Sequence, residues 1–471
     1  MLGRKLRTFL IDWQWVILVF ISPLLLFPSA KRSIVLILFP LLWLSTLLWK
    51  RKDTITPLNL PILILLVMLL VSTWATYDIG VSFPNIAGLF LGLGFYFAFR
   101  QAVIGTRGLQ FPFLAFSAAC LGVALLSLFT MQRVEKIEFI NPLLQIIPSG
   151  FISLPGEEAG FHPNIVAGAL LWFLPLIGVL FISLLIKRRG YVQKIGAWRY
   201  ALLTLVGLLM LLFISLVFLL TQSRSAYLAL FLTLMLTSVL LFPQKIRWMA
   251  GGFLVCILLV LTWYSWQQGW IQTLYAATGA GGISTSVVTL NGRVEIWSRA
   301  LYGIQDFPFT GMGMNTFQNI VRILYPLFTI SPDYNIGHAH NEFLQVALDL
   351  GIPGLIAFIS IYFIGFSMLI QTYRRSGFRS LSRHARGLDR ILLSANGIKA
   401  LALGFGLSLL AHALFGITDA IALGTKPGIL FWMLLGLTAG LHHLVCTKPP
   451  APSKLNSQNS PLNAQNSKLV P

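Results

Sequence analysis

The feature that most constrains this chain is a series of long apolar stretches that are nearly free of charge, among them residues 61–74, 111–130, 165–186, 201–221 and 354–370. About 20 such residues cross the hydrocarbon layer of a bilayer, and a chain that does so must form helices or a closed barrel. These stretches lack the strand-like alternation of apolar and polar residues. Charged residues make up only 10% of the chain, against about 25% in soluble domains. We therefore predict a helical integral membrane protein.

The stretches predict an all-α polytopic transmembrane helix bundle with about twelve spans. These lie near residues 13–28, 33–49, 58–74, 84–99, 110–130, 164–186, 201–221, 225–242, 248–265, 352–371, 396–416 and 428–446. The predicted domains are an N-terminal transmembrane bundle of about nine spans (1–265), a large partly helical loop (266–351), C-terminal transmembrane helices (352–446) and a tail (447–471). The tail is rich in Pro, Ser, Asn and Gln, which predicts disorder.

The net charge of +20 is divided unevenly between the two sides of this predicted bundle. With the N-terminus in the cytoplasm, the inner segments hold 25 of the 34 Lys and Arg residues, but only three of the 14 acidic residues. Membrane proteins are oriented by such a bias, known as the positive-inside rule. We therefore expect cytoplasmic termini, an outward-facing large loop and no nucleic-acid partner. The basic inner stretch at 373–396 is expected to lie on anionic membrane lipid.

The large loop is predicted to carry a helix over about residues 292–305, with Asn291 as its N-cap. Its apolar residues recur at helical spacing, which favours one packed face. Glu295 and Arg299 form a favourable i,i+4 pair, whereas Arg293 has no such partner within the helix. Arg293 is therefore a candidate anion ligand, with a solvated arginine at a helix start as the alternative.

Two histidines, His338 and His340, stand just before a predicted short helix that ends at Gly351. The helix dipole disfavours a charged imidazolium at that end, so a neutral His340 is expected, able to act as a general base. Metal binding and a purely structural role are the alternatives for the pair. Because no cysteine or carboxylate cluster accompanies it at a usual ligand spacing, we predict no metal site.

Arg224 lies in a tight outer turn, residues 221–225, between two long apolar spans. No acid is near it in the sequence, so its charge is either free for an anionic ligand or placed among lipid headgroups. Arg322, in the large loop, is a weaker case of the same kind. Asn164 or His162 is expected to cap the helix that starts there, with a functional role as the alternative. His412 and Asp419, on one face of a span near its outer end, are expected to make a packing hydrogen bond.

At this point the sequence resembles the O-antigen ligase and polymerase family of bacterial envelope enzymes. His340 and Asn341, followed after nine residues by Gly-Ile-Pro-Gly (351–354), are similar to the family's signature. Two preceding segments, 292–297 and 306–313, look like the part of the family that comes before it, and the Thr-Gln-Ser-Arg-Ser turn resembles its arginine turn. The resemblance covers about residues 200–440 and extends to cyanobacterial relatives labelled inorganic-carbon transporters.

The resemblance implies a GT-C-like bundle in the bacterial inner membrane, with the large loop in the periplasm. It implies transfer of a glycan from undecaprenyl pyrophosphate to a sugar hydroxyl of a lipid-linked acceptor, without metal or other cofactor. His340 is then the base, and Arg224 and Arg293 hold the pyrophosphate. The other implied substrate-binding residues are Arg322, His338 and Asn341. Pyrophosphate is a good leaving group, so it needs only charge neutralisation, which arginine supplies bidentately.

Three other interpretations stay open at this stage. A polymerase of lipid-linked repeats uses the same chemistry, and nothing in the sequence separates it from a ligase. A small-solute transporter, for example of bicarbonate, would place ionisable residues near the bilayer midplane, and no Asp or Glu is predicted there. A membrane scaffold would leave the motif at 340–354 unexplained.

Overall fold

A computed structural model describes residues 14–26, 56–105, 108–132, 134, 137, 140–142, 160–241, 290–328, 330–331, 336–377, 385–421 and 423–446. All named elements of this described part are helices, which confirms the all-α prediction; besides a short 3-10 helix (Lys426–Gly428) there are fifteen α-helices. They are α1 (Gln14–Leu26), α2 (Asn59–Ala75), α3 (Ile79–Ile104), α4 (Gln110–Thr130), α5 (Pro163–Leu171), α6 (Leu174–Ile186), α7 (Arg188–Ile195), α8 (Ala197–Leu220), α9 (Arg224–Leu241), α10 (Leu290–Asp306), α11 (Phe317–Leu324), α12 (Glu342–Arg375), α13 (Asp389–Leu392), α14 (Ala395–Gly416) and α15 (Ile429–Cys446).

Seven helical segments in the described part are long and apolar enough to cross a membrane. They are α3, α4, the α5–α6 pair, α8, α12, α14 and Lys426–Cys446, which contains α15. Two further apolar helices, α2 and most of α9, are shorter. The predicted spans 33–49 and 248–265 lie outside the described residues, as does the tail. The total of twelve spans therefore stays a prediction.

One predicted element differs from the observed one, and a second shows a break at the predicted place. The span predicted at 164–186 consists of two helices, because Pro175 near the start of α6 has no N–H for a continuous helix. The loop helix and the span after it, which the sequence predicts as separate, meet at Gly351, whose backbone (φ 70°, ψ 176°) is not helical and interrupts α12 there. This kink lies where the sequence predicts the loop helix to end and the next span to begin.

The core of the bundle lies around α15, whose side chains are almost all buried. α15 packs along α3, and α14 packs against α6, α9 and α12. By contrast, α8 exposes Leu202, Leu205, Leu209 and Leu212, which recur on one helix face and suit contact with lipid. A second, smaller core joins α10, α11 and the first turns of α12, so the described part of the loop is packed structure.

The helix ends at one face of the bundle define where the site can form. The start of α9, the start of α12 and the end of α14 meet there, together with the first turns of α10. The start of α8 and the end of α12 lie at the opposite face, because α8 alone is about 36 Å long. The two groups of chain segments are therefore separated by roughly the thickness of a bilayer.

Candidate functional site

The centre of the candidate site is a buried carboxylate, that of Asp419, which follows the end of α14 and is 1% exposed. Its Oδ1 lies 3.2 Å from His340 Nδ1 and accepts a hydrogen bond from the Ala420 backbone N–H. Its Oδ2 lies 3.5 Å from Arg293 Nη2 and accepts a hydrogen bond from the side-chain amide of Asn164. One carboxylate thus joins groups from α5, α10 and the segment before α12.

The structural role predicted for Asp419 is therefore too narrow. His340 and Arg293, which the sequence analysis selected from separate motifs, meet on this carboxylate. Of the two caps predicted for α5, His162 is the observed one, because its ring accepts the Asn164 backbone N–H. The Asn164 amide reaches Asp419 across the bundle. Asp419 is 79 residues from His340, so no local spacing could connect them. The available signal was an acid placed directly after a long apolar span.

His340 is held in an unusual backbone conformation. Its φ is +48°, in the left-handed region that costs a non-glycine residue roughly 1 kcal/mol. Surrounding contacts fix it there, since its carbonyl accepts a hydrogen bond from Trp297 Nε1 at 3.3 Å. Its backbone N–H donates to His338 Nδ1 at 3.1 Å. Strain of this kind is common where a functional side chain must be aimed, and here the ring is aimed at Asp419.

His338 is the inner partner of the histidine pair. Because its Nδ1 accepts a hydrogen bond, the neutral ring carries its proton on Nε2, which lies 3.9 Å from Asp419 Oδ1. Burial lowers the pKa of His338 to about 3, and the nearby charges of His340, His162 and Arg293 also lower it. Only the Asp419 carboxylate acts in the opposite direction and favours the protonated ring. His338 is therefore a neutral group at physiological pH.

Asp419 remains ionised in this setting. Burial alone would raise the pKa of its carboxyl, but the hydrogen bond and charge of His340, with the charges of His338 and Arg293, hold the pKa well below its usual value. The site thus contains a buried anion that opposes the positive charge of Arg293.

Arg293 joins three parts of the chain at the first turn of α10. Its Nη1 donates to the Thr418 carbonyl at 2.6 Å and approaches the Ser225 hydroxyl at 3.4 Å. Ser225 directly follows Arg224, which is exposed at the start of α9. The arginine turn and Arg293 are therefore neighbours, as the resemblance implies. Arg293 is also part of the packing, because it links α9, α10 and the end of α14.

Asn341 connects the start of α12 to the end of α14. Its side-chain oxygen accepts the Leu344 backbone N–H at 3.0 Å, which makes it the N-cap of α12. Its side-chain nitrogen donates to the Ile417 carbonyl at 2.8 Å. Both ends of the amide thus hold backbone, and this fixes the distance between His340 and Asp419. Its predicted contact with substrate stays a prediction.

Arg322 lies in another part of the loop. On α11, its Nη2 donates to the Ser331 carbonyl at 2.9 Å, next to the small core formed by Phe317 and Val321. Arg293, His338 and His340 meet at Asp419, and Asn341 holds the adjoining end of α14. Arg224 directly precedes Ser225, which Arg293 approaches. A helper role for Arg322 stays a prediction.

The two motif segments of the loop interlock at the kink of α12. The Met312 N–H donates to the Leu348 carbonyl, and the Ile352 N–H donates to the Pro308 carbonyl, both at 2.7 Å. A Cβ at Gly311 would lie 2.6 Å from the Asp349 carbonyl oxygen, and one at Gly351 would lie 2.4 Å from that of Phe309. Both glycines also have positive φ. The segments 306–313 and 351–354 therefore form one rigid support for the helix that follows His340.

A second polar cluster, which was not predicted from the sequence, lies beside the site, where the start of α12 packs against α14. Glu342, the first residue of α12, is 4% exposed, and its Oε2 lies 3.5 Å from His412 Nδ1. His412 also meets the Tyr362 hydroxyl at 3.0 Å and stacks on Trp172. Glu342 and Asp349 are buried acids of α12 that precede Gly351, outside the span predicted at 352–371. The absence of acids from the middle of the predicted spans stays a prediction.

Three side chains of the site have the composition of a metal site. One ligand atom from each of His338, His340 and Asp419 lies within 4.8 Å of the others. No carboxylate lies at a usual ligand spacing from the histidines in the sequence, but the fold places Asp419 beside them. Arg293, however, approaches the same carboxylate, and a dication there would face its positive charge. Both uses of the cluster have to be tested.

Comparison with known proteins gives one match. Residues 208–359 match the family model described as O-antigen ligase, about a third of the chain. This confirms the family resemblance drawn from the motifs, and it includes all six predicted site residues. Asp419 lies beyond the matched segment. No curated protein matches the chain significantly.

Proposed function

We propose that this protein, which carries an O-antigen ligase domain, transfers a glycan from undecaprenyl pyrophosphate to a sugar hydroxyl of a lipid-linked acceptor on the outer face of the bacterial inner membrane. The domain supports glycan transfer of the ligase or polymerase type in general. One observation carries the finer proposal: His340 and Arg293, from separate motifs, share the buried carboxylate of Asp419.

His340 is the proposed general base. When its Nδ1–H donates to Asp419, Nε2 carries the lone pair that accepts the proton of the acceptor hydroxyl. Asp419 fixes that tautomer and offsets the imidazolium charge as it forms, as in other Asp–His pairs. Asp419 thereby acts as a positioning residue, and His340 is the group that contacts the substrate.

The transfer itself needs no further chemistry from the protein. The acceptor oxygen attacks the anomeric carbon of the glycan, and the bond from that carbon to the pyrophosphate oxygen breaks. The electron pair leaves with undecaprenyl pyrophosphate, while the proton stays on His340 until water removes it. Because the leaving group is stable as an anion, the protein contributes positioning and charge.

The arginines are proposed to hold the pyrophosphate. Arg224 is exposed at the start of α9, and Arg293 lies next to it through Ser225. The charge of Arg293 is partly balanced by Asp419, so Arg224 is expected to carry much of the contact with the phosphates. His338, neutral and partly buried, supports the orientation of His340. Arg322 and Asn341 are kept as secondary contacts with substrate.

Deletion of the gene, followed by analysis of lipid-linked and surface polysaccharide, tests this function. Full-length glycan accumulating on undecaprenyl pyrophosphate would identify a ligase, and single repeats would identify a polymerase. Complementation with His340→Ala should leave the defect in place, although the protein reaches the membrane at the wild-type level. An unchanged polysaccharide profile, with altered uptake of bicarbonate or another solute, would contradict the proposal and favour a transporter.

A further inference from the structure

We infer that the face of the bundle opposite the candidate site carries a binding site for one anionic phospholipid. The cavity that would hold it has a volume of about 600 Å³ and lies between the start of α8 and the segment around α13. Since α8 spans about 36 Å, this cavity is a bilayer thickness away from Arg224. It is therefore independent of the proposed glycan transfer.

Three arginines give the cavity its charge. Arg199 from α8 and Arg386 and Arg390 from the α13 segment all line it, and all three are exposed. No acidic residue is among the described residues that line it. The nearest acid in sequence, Asp389, is 6% exposed, and its carboxylate faces the Gly108 backbone. The cavity thus offers three positive charges to a ligand without an internal counter-charge on its wall.

The remaining wall is apolar and continues into the bundle. Leu203, Val206, Leu388 and Ile391 line both this cavity and an adjoining one of about 120 Å³. The adjoining cavity runs between α4, α6 and α8 and is lined mainly by apolar side chains. A ligand that fills both must therefore combine an anionic head with an apolar chain.

The position of the cavity along α8 matches the depth of a lipid headgroup. Trp198, next to Arg199, is 77% exposed, and exposed tryptophans mark the membrane interface. The exposed leucines of α8 begin immediately after it, at Leu202 and Leu205. The arginines therefore lie at headgroup level. The adjoining apolar cavity, called the slot below, extends from them toward the bilayer interior. Basic pockets between helix ends on one leaflet bind anionic lipid heads in this way.

These features together favour a phospholipid over a free anion. Arginine forks bind a phosphodiester bidentately, but a free phosphate would make no use of the slot. A zwitterionic lipid would bring its own positive charge toward the arginines. The occupant is thus a diacyl lipid with a net negative head, such as phosphatidylglycerol.

Native mass spectrometry of the purified full-length protein tests this site. The protein is titrated with palmitoyl-oleoyl phosphatidylglycerol or with the phosphatidylcholine of the same chains. We expect the wild-type protein to bind phosphatidylglycerol more tightly than phosphatidylcholine. In the triple variant Arg199→Gln/Arg386→Gln/Arg390→Gln, the affinity for phosphatidylglycerol should fall on the order of 100-fold. The matched control, Arg188→Gln/Arg189→Gln/Lys194→Gln on α7, removes the same charge from exposed residues that do not line the cavity.

A second variant tests the slot without changing charge. A Cβ at Gly207 would make only ordinary contact, at 3.6 Å from Phe181, so Gly207→Leu should fold and place its side chain in the slot. It should weaken binding of the long-chain lipid and leave dihexanoyl phosphatidylglycerol unaffected. Gly178→Leu, where a Cβ meets nothing within 4 Å, is the control.

Three results would overturn the inference. Equal losses in the two triple variants would show a general surface-charge effect. Equal affinity for the two headgroups would remove the role of the arginines. Full competition by millimolar inorganic phosphate, with no effect of Gly207→Leu, would show a free-phosphate site in place of a lipid site.

Discussion

Nδ1 of His340 and Oδ1 of Asp419 lie 3.2 Å apart, although 79 residues separate them in the chain. The start of α12 and the end of α14 maintain this distance through the Asn341 amide, which holds the Ile417 carbonyl. Arg293 contacts the other oxygen of the same carboxylate. The pair therefore links the proposed proton acceptor to a proposed phosphate ligand, and its two members should respond differently to substitution.

Asp419→Asn should lower the turnover number for glycan transfer by about 10²- to 10⁴-fold, the range that correctly placed acid–base catalysis contributes. An amide can leave His340 in the wrong tautomer, and it cannot stabilise the imidazolium. Binding of the carrier should persist or become tighter, because Arg293 loses its internal anion. The measurement is transfer by purified protein, with carrier binding determined separately.

Asp306→Asn is the matched control for Asp419→Asn, because Asp306 is an exposed acid of the same loop and is bonded to the Tyr325 hydroxyl. It should leave turnover close to wild type. If Asp419→Asn kept wild-type turnover over the whole pH range, Asp419 would be a packing residue only.

The spans of this fold were predictable because hydropathy alone determines them. α4 coincides with the predicted span at 110–130, and α14 and α15 agree within one residue. The interruption at Trp172 was not predictable in this way, since a break between two apolar helices leaves the hydropathy unchanged. The break at Gly351 was predictable, because a glycine at a helix end and a proline two residues later mark the start of a new helix.

The site was predictable only where short motifs carry it. His340 and Arg293 stand in local patterns that indicate their chemistry, whereas Asp419 is a single acid in an apolar setting. Its importance depends on which helix ends meet, and that follows from three-dimensional packing. The same limit explains Glu342, whose pairing with His412 depends on contact between α12 and α14.

Arg293→Lys should lose at least tenfold in carrier affinity and should not recover the wild-type rate. A lysine keeps the charge but cannot contact Thr418, Ser225 and a phosphate with one planar fork. Arg224→Lys should show a milder loss, because its exposed side chain has room to adapt. Binding of radiolabelled undecaprenyl pyrophosphate glycan in nanodiscs measures both.

Arg322→Lys serves as a comparison, since Arg322 holds the Ser331 carbonyl on α11. A loss of carrier affinity as large as that of Arg293→Lys would give Arg322 a direct part in binding. Wild-type affinity in Arg293→Lys would remove the phosphate role proposed for that residue.

Chelation should leave glycan transfer unchanged, although His338, His340 and Asp419 form a possible ligand set. Arg293 Nη2, 3.5 Å from the carboxylate, opposes a dication there by charge repulsion. Activity of purified protein is measured before and after treatment with EDTA and with a zinc-selective chelator. Loss of activity that one added divalent ion restores would show that the cluster is a metal centre, and the base assignment of His340 would have to be abandoned.

Reporter tags should place residue 7, residue 380 and the tail in the cytoplasm, and residues near 145 and 280 outside. The charge bias of the chain is the reason, since most basic residues fall on one side of the predicted spans. Paired phosphatase and fluorescent-protein fusions measure this. A cytoplasmic position for residue 280 would put the His340 cluster on the inner face, where the proposed acceptor is absent.

Stability should fall as the pH drops from 7 to 5, in part because of His338. Its pKa is about 3 in the folded protein and about 6.5 when unfolded, so between these values the unfolded state binds more protons. The free energy of unfolding then decreases as pH falls through 6.5, by at most about 1.4 kcal/mol per pH unit for one group. The loss continues until the folded pKa is reached.

His338→Asn should make this pH dependence weaker while the other histidines keep their contribution. Asp419 does not confuse the comparison, because its pKa is held below the usual carboxyl value and its contribution is lost only at more acidic pH. Reversible unfolding in detergent, followed by tryptophan fluorescence at pH 7, 6 and 5, measures the slope for both proteins. Identical slopes for wild type and variant would mean that His338 is protonated as readily in the folded protein as in the unfolded one. The neutral inner histidine beside Asp419 would then have to be given up, and with it the support that His338 is proposed to give to the orientation of His340.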